Sequence, residues 1–288
     1  MSMKSSILKW IRIIRPGTLG AGAAPVLVGL IVAAEELTFD WLIAAVTLLA
    51  ALSIQIASNL INDYYDFKKG LDKAGRLGPK RAIAEGEVTP QVMKRAIIID
   101  VAIAVLCGIY LTLAGGLPIL MIGCISLLCA WLYTATPYSL SYLGIADLFV
   151  LAFFGPIATV GTTYLQIEQF SEKAFWFGMV NGLISMGILT INNIRDIDSD
   201  KKAGKRSMVV RLGKKFGEWE YLSLFILIIP CLYLAGSSGL CYAVVAMGVG
   251  LFIRLRRTKG KGYNQLLIRT GQANLLFAFL LWIEYLIA

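Results

Sequence analysis

The stretch WLIAAVTLLAALSIQIASNLINDYYDFKKG, residues 41–70, decides how the chain is to be read. From Trp41 to Asn62 it carries no charge. At ~1.5 Å of rise per residue such a helix crosses the ~30 Å hydrocarbon core of a bilayer. The run then ends in amides, two aspartates, two lysines and a glycine. An apolar span that terminates in Asn and Asp is a membrane helix with chemistry at its mouth.

The rest of the sequence repeats the first half of that pattern. Eight further apolar segments begin near Thr18, Ala96, Pro118, Asp147, Ala174, Tyr221, Gly239 and Gly271. Of the 288 residues 58% are hydrophobic and only 16% charged, and the mean hydropathy is +0.73. A soluble domain of this length is far less apolar. The expected fold is therefore all-α, a polytopic membrane protein of about nine transmembrane helices forming one domain over residues 1–288. The first span is read as retained, because Lys4, Lys9, Arg12 and Arg15 precede it and Glu35 and Glu36, not a small-residue cleavage site, follow it. Cys107, Cys124, Cys129, Cys231 and Cys241 fall inside apolar runs without paired spacing, as core side chains do. Histidine is absent, which removes imidazole as metal ligand and general base.

Charge asymmetry gives the orientation. With the N-terminus inside and nine crossings, 26 of the 27 Lys and Arg fall in inner segments, leaving Lys173 outside. The excess places the N-terminus and the long polar loops in the cytoplasm, at a bacterial inner membrane or its equivalent. The net charge of +9 is thus a topology signal, with membrane lipid as a partner and nucleic acid not one.

A second apolar run ends in the same way, in NNIRDIDSDKKAGKRSMVVRLG, residues 192–213. Both loops pass from helix to Asn and Asp and then to Lys and Arg, with glycine among the basic residues. Similar elements in two halves of a membrane protein often mark a shared site. Asn59, Asn62 and Asp66 recur at helical spacing, as do Asn193, Asp196 and Asp200, so each trio forms one stripe on a helix. Aspartates four apart repel each other unless a cation lies between them. Carboxylate and amide oxygens suit Mg2+ or Mn2+, which bind through a few carboxylates plus phosphate oxygens. Lys69, Arg76, Lys80 and Arg81 in one loop, and Lys201, Lys202, Lys205, Arg206 and Arg211 in the other, are placed to meet the remaining anionic oxygens. Lys and Arg beside a membrane also serve simply as topology determinants.

The pairing of NDYYDFKKGLD with NNIRDIDSDKKAGK resembles the UbiA superfamily of intramembrane aromatic prenyltransferases, over nearly the whole chain. The tails RLGPKRAIAEGEVTP and KKAGKRSMVVRLG look like the subgroup that prenylates 1,4-dihydroxy-2-naphthoate in menaquinone biosynthesis. The resemblance implies nine helices around a central cavity, polar caps over its cytoplasmic mouth and a lateral opening to lipid. It implies Mg2+ as cofactor, a polyprenyl diphosphate as donor, and metal-diphosphate sites at Asn62, Asp66 and Asp72 and at Asn193, Asp196 and Asp200. Asp66, Asp196 and Asp200 would be catalytic, and Lys69, Arg76, Arg81 and Lys205 would bind diphosphate. Two features depart from the wider family. Gly70 follows the N-x3-D spacing, so that the next carboxylate is Asp72, as in the naphthoate subgroup. The stretch YTATPYSLSYLGIAD, residues 133–147, lacks a lysine often found there.

In the implied reaction an allylic C–O bond breaks heterolytically, and metal ions and basic donors stabilise the departing diphosphate. The acceptor ring then attacks at the carbon bearing its carboxylate, and CO2 leaves. Tyr133 and Tyr138 either line the acceptor pocket or belong to an aromatic belt. Asp147 either orients an acceptor hydroxyl or pairs with a basic loop residue. The small-residue run at 17–29 fits close helix packing, while Glu284, deep in the last span, has no motif to explain it. Two rivals stand beside this reading. A prenyltransferase for 4-hydroxybenzoate or homogentisate keeps the same metal chemistry, whereas an ion-coupled secondary transporter would hold its acids near the midplane.

Overall fold

A computed structural model describes residues 3–35, 39–70, 77–78, 81–135 and 139–287, and these contain helices and no strand. The N-terminal half holds α1 (Met3–Ile13), α2 (Pro16–Ala33), α3 (Trp41–Lys68), α4 (Pro90–Leu132), α5 (Leu140–Leu143), α6 (Ala146–Phe153) and α7 (Pro156–Ile167). The C-terminal half holds α8 (Glu172–Arg195), α9 (Ile197–Lys202), α10 (Met208–Leu212), α11 (Lys214–Leu234), α12 (Ala243–Arg257) and α13 (Gly262–Ile287).

Local chemistry sets the ends of these helices. Asp40 starts α3 by accepting from the N–H groups of Leu42 (2.8 Å) and Ile43 (2.9 Å). Thr89 caps α4, with Pro90 at its first position, and Ser171 caps α8. α6 and α7 form one apolar segment broken at Phe154–Gly155 ahead of Pro156. Gly155 is required there, since a Cβ would stand 2.8 Å from Gly178 O and 2.9 Å from the Cα of Gly182 on α8. The contact brings α7 and α8 backbone to backbone. The small residues of α2 work alike: a Cβ on Gly29 would lie 2.6 Å from Thr159 O.

Among the described residues seven helices are long and apolar enough to cross a membrane, counting α6 and α7 together. The expected number was nine, and the difference has two sources. The segments expected from Ala96 and Pro118 share α4, a 43-residue helix interrupted by non-helical Gly116 (φ 66°, ψ −155°). The segment expected from Gly239 yields α12, of 15 residues. Many large apolar side chains are exposed on the outer faces, including Trp41, Leu106, Leu113, Leu117 and Tyr233. With seven apolar spans this is an integral membrane protein.

α8 is the most buried of the spans and packs against α2, α6, α7, α11 and α13. Its Phe177, Ile184 and Ile191 enter a core with Tyr221, Phe225 and Phe277. α3 packs chiefly along α4. Polar contacts gather at opposite ends of this bundle. At the end away from the two Asn/Asp motifs, Gln166 exchanges hydrogen bonds with the backbone of Asp40 (2.8 and 3.0 Å) and Lys173 pairs with Glu35 at 2.5 Å. Glu284 belongs to this end, where its carboxylate accepts from Ser237 Oγ and from the N–H groups of Ser238, Gly239 and Cys241 at 2.9–3.1 Å. It fixes the turn into α12. All five cysteines are free thiols, and Cys107, Cys231 and Cys241 are buried.

Candidate active site

The first motif occupies the last two turns of α3, and there one stripe divides into a structural part and an open part. Asn59 is buried and turned toward the first span, donating to Ile14 O (3.1 Å) and Thr18 Oγ (2.9 Å). Asp63, on the adjoining face, is buried between two guanidiniums, those of Arg15 and Arg81. Arg81 also reaches Asp66 at 2.5 Å. Its side chain is 6% exposed, against 16% for Asp66, so Arg81 bridges two carboxylates from inside the protein. Asn62 accepts a hydrogen bond from Thr134, just past α4.

In the second motif the expected single stripe is split between two helices. α8 ends at Arg195, Asp196 has non-helical φ −101° and ψ 11°, and α9 follows. Side-chain bonding of Arg195 accompanies the break. Its guanidinium donates to both oxygens of Asp196 (2.9 and 2.6 Å), to Asn192 Oδ1 (2.7 Å) and to Asn264 Oδ1 on α13 (2.9 Å). Asn264 in turn donates to Leu77 O at 2.9 Å, tying the first loop to the second motif. Asp200 is buried and pairs with Lys205 at 2.8 Å. Asn193, at 9% exposure, stands one turn before Asp196.

Lysines and tyrosines stand between the two motifs. Lys69 donates to Thr134 O at 2.6 Å and lies 5.1 Å over the ring of Tyr142. Burial pushes its ammonium below the ordinary lysine range; Asp66 opposes the shift and Lys205 adds to it. Tyr133 is half-buried in the combined field of Asp147, Asp200 and Asp66; burial first and these carboxylates second raise its phenol, which stays a hydrogen-bond donor. Burial likewise raises Tyr142, with Lys205 opposing and Asp66 and Asp200 adding. The contact of Lys69 with Tyr142, whose carbonyl accepts from Arg206 N–H, brings the ends of the two motifs, distant in sequence, together.

The loop without a lysine still builds the site. Arg206 N donates to Tyr142 O at 3.1 Å, and Gly144 (φ 77°) passes so close that a Cβ would meet Arg206 O at 2.1 Å. Asp147 is half-buried in the first turn of α6. Asp72, Arg76, Lys80 and Tyr138 lie outside the described residues. Sequence reasoning missed Arg15, Thr134, Tyr142, Arg195 and Asn264. Thr134, Tyr142 and Arg195 lay inside stretches already singled out, as residues of no assigned role.

Among the described residues no three Asp, Glu, His or Cys side chains gather closely enough to hold a metal ion by themselves. The side chains of Asn62, Asp66, Asn193, Asp196 and Asp200 offer hard oxygens, and Mg2+ commonly completes its shell with water and phosphate oxygen. The chemistry of the donor set therefore fits that ion.

Comparison with known proteins gives the same architecture and a lineage. The chain is 38% identical over 231 residues to the 1,4-dihydroxy-2-naphthoate octaprenyltransferase of Escherichia coli (strain K12), covering 78% of this chain and 75% of that protein. It is 29% identical over 284 residues to the enzyme of the same name from Bacillus subtilis (strain 168), covering 95% and 91%. The structure of a UbiA homolog from Archaeoglobus fulgidus bound to DMAPP and Mg2+ superposes with a TM-score of 0.65 at 18% identity, over 97% of this chain and 100% of that one, a likeness of fold. The UbiA prenyltransferase family model matches residues 23–281. With that match over most of its length, the chain belongs to the UbiA prenyltransferase family.

Proposed function

We propose that this protein transfers a polyprenyl group from an allylic polyprenyl diphosphate to 1,4-dihydroxy-2-naphthoate, releasing diphosphate and CO2 and giving the demethylmenaquinol of menaquinone biosynthesis. The observation that carries the reading is the meeting of the two motif ends: Lys69, just past Asp66, lies 5.1 Å over the ring of Tyr142, whose carbonyl accepts from the N–H of Arg206, next to the Lys205 that pairs with Asp200. The names of relatives from Escherichia coli and Bacillus subtilis support the choice of acceptor.

In this reading Asn62, Asp66, Asn193, Asp196 and Asp200, with Asp72, hold Mg2+, which when bound offsets charge on the diphosphate. Lys69 and Lys205, with Arg76 and Arg81, face its remaining oxygens. Tyr133 donates a hydrogen bond at the mouth, and Tyr133 and Asp147 border the acceptor. The apolar helices hold the isoprenoid tail in membrane lipid and keep water from the allylic cation. Residues 1–288 form one transmembrane domain that crosses nine times, α4 contributing two crossings at Gly116 and α12 one. The motif end and the N-terminus face the cytoplasm.

The ligand role is tested by Asp66→Ala and Asp196→Ala. Each is expected to abolish turnover at saturating Mg2+ in a folded, membrane-inserted protein. Near wild-type rates in either variant would remove that residue from the reaction.

A further inference from the structure

α11 enters the bundle with two acids, Glu218 and Glu220, two positions apart and therefore on different faces. Glu218 pairs with Lys214 one turn earlier, at 3.5 Å. Glu220 turns inward instead, and its Oε2 stands 3.3 Å from Thr190 Oγ on α8, a hydroxyl shared between this carboxyl and Met186 O at 3.0 Å. Thr190 is fully buried. The next residue, Tyr221, locks this face: it is buried, bonds Thr270 at 2.9 Å and packs over Gly187, whose missing side chain lets the ring approach. The Glu220 carboxyl is thus held in a defined place inside the membrane.

That place adjoins the site. Thr190 lies three residues before Asn193 on the same helix, one face and ~4.5 Å deeper. Among the described residues Glu220 forms no ion pair, whereas Glu218 pairs with Lys214. An acid at membrane depth without a cation is costly unless it serves a substrate. The substrate that fits brings hydroxyl donors and no positive charge. The allylic carbon is bonded to a diphosphate oxygen, so the attacking ring must lie within a few ångströms of the metal ligands, at the depth Glu220 occupies.

We propose that Glu220 accepts the proton of an acceptor hydroxyl during carbon–carbon bond formation and returns it when CO2 leaves; this rests on the reaction proposed above. As the O–H bond breaks, its electron pair enters the ring, the carboxylate-bearing carbon bonds to the allylic carbon, and the proton moves to Glu220. The resulting ketone then loses CO2. The electrons of the broken C–C bond re-form the aromatic ring, and the ketone oxygen takes the proton back from Glu220. No redox partner is needed, and the balance is one diphosphate and one CO2 per product.

The test compares the full-length protein with Glu220→Gln and Glu220→Ala in detergent or vesicles. Glutamine keeps the shape and still reaches Thr190, but cannot carry the proton. We expect kcat for 1,4-dihydroxy-2-naphthoate to fall about 100-fold in Glu220→Gln. The KM for the allylic diphosphate should stay within about twofold, with naphthoate binding retained in a fluorescence titration. Added formate should restore part of the Glu220→Ala rate. A Glu220→Gln enzyme with wild-type kcat, one that no longer binds naphthoate, or an alanine variant indifferent to formate would overturn the inference. A wild-type enzyme that does not prenylate this acceptor would instead overturn the proposed reaction.

Discussion

Replacing Arg81 with Met is expected to lower stability by about 3–5 kcal/mol, the usual cost of removing one partner from a buried ion pair. The magnitude follows from the local charge count. Among the described residues Arg15 and Arg81 pair with Asp63 and Asp66, two guanidiniums against two carboxylates. Arg81→Met leaves one guanidinium for two carboxylates, with Asp63 only 3% exposed. Removing a charge from each side restores the balance, so Asp63→Asn should recover part of the loss in the double variant. The coupling should be about 1–3 kcal/mol. The assay is thermal unfolding of purified protein followed by tryptophan fluorescence, alongside kinetics with varied allylic diphosphate. Unchanged stability in Arg81→Met, whatever its effect on the diphosphate KM, would refute the reasoning.

Three further outcomes are expected. Asn264→Ala should lower kcat/KM for the allylic diphosphate about tenfold and speed amide exchange at Leu77 and Gly78, because Asn264 joins Arg195 to Leu77; wild-type values in both would deny the tie a role. Glu284→Ala should lower thermal stability by about 2–4 kcal/mol without altering acceptor choice, since it strands the N–H groups of Ser238, Gly239 and Cys241; a changed acceptor preference at wild-type stability would assign it to the site. Gly144→Ala should weaken docking of the 139–145 loop on Arg206 and raise the diphosphate KM, because its Cβ meets backbone rather than a yielding side chain; unaltered kinetics would mean that the loop shifts freely.

The legible parts of this protein are those whose cause is local. Apolar length located the spans, among them the segments from Ala96 and Pro118 that α4 joins across Gly116. Helical spacing put Asn62 and Asp66 on one stripe, and α3 runs unbroken through both. The same spacing made Asn59 look equivalent to Asn62, yet Asn59 serves the first span. Nothing within a few residues distinguishes them; the position of α2 does. Arg195 broke the second stripe through Asn264, 69 positions away, and Arg15 reached Asp63 across 48. A buried carboxylate takes whichever cation the fold brings to it, and that choice is set by tertiary packing. Glu220 escaped notice for the same reason, since only the face of α11 that meets α8 tells it apart from Glu218.

The most direct measurement is a single-turnover reaction of the purified protein with Mg2+, an allylic polyprenyl diphosphate and 1,4-dihydroxy-2-naphthoate labelled in its carboxylate carbon. One labelled CO2 should be released for each diphosphate, at the rate at which the prenylated naphthalenediol forms, with 4-hydroxybenzoate a poor substitute. A product that keeps the label, or faster turnover with 4-hydroxybenzoate, would contradict the account.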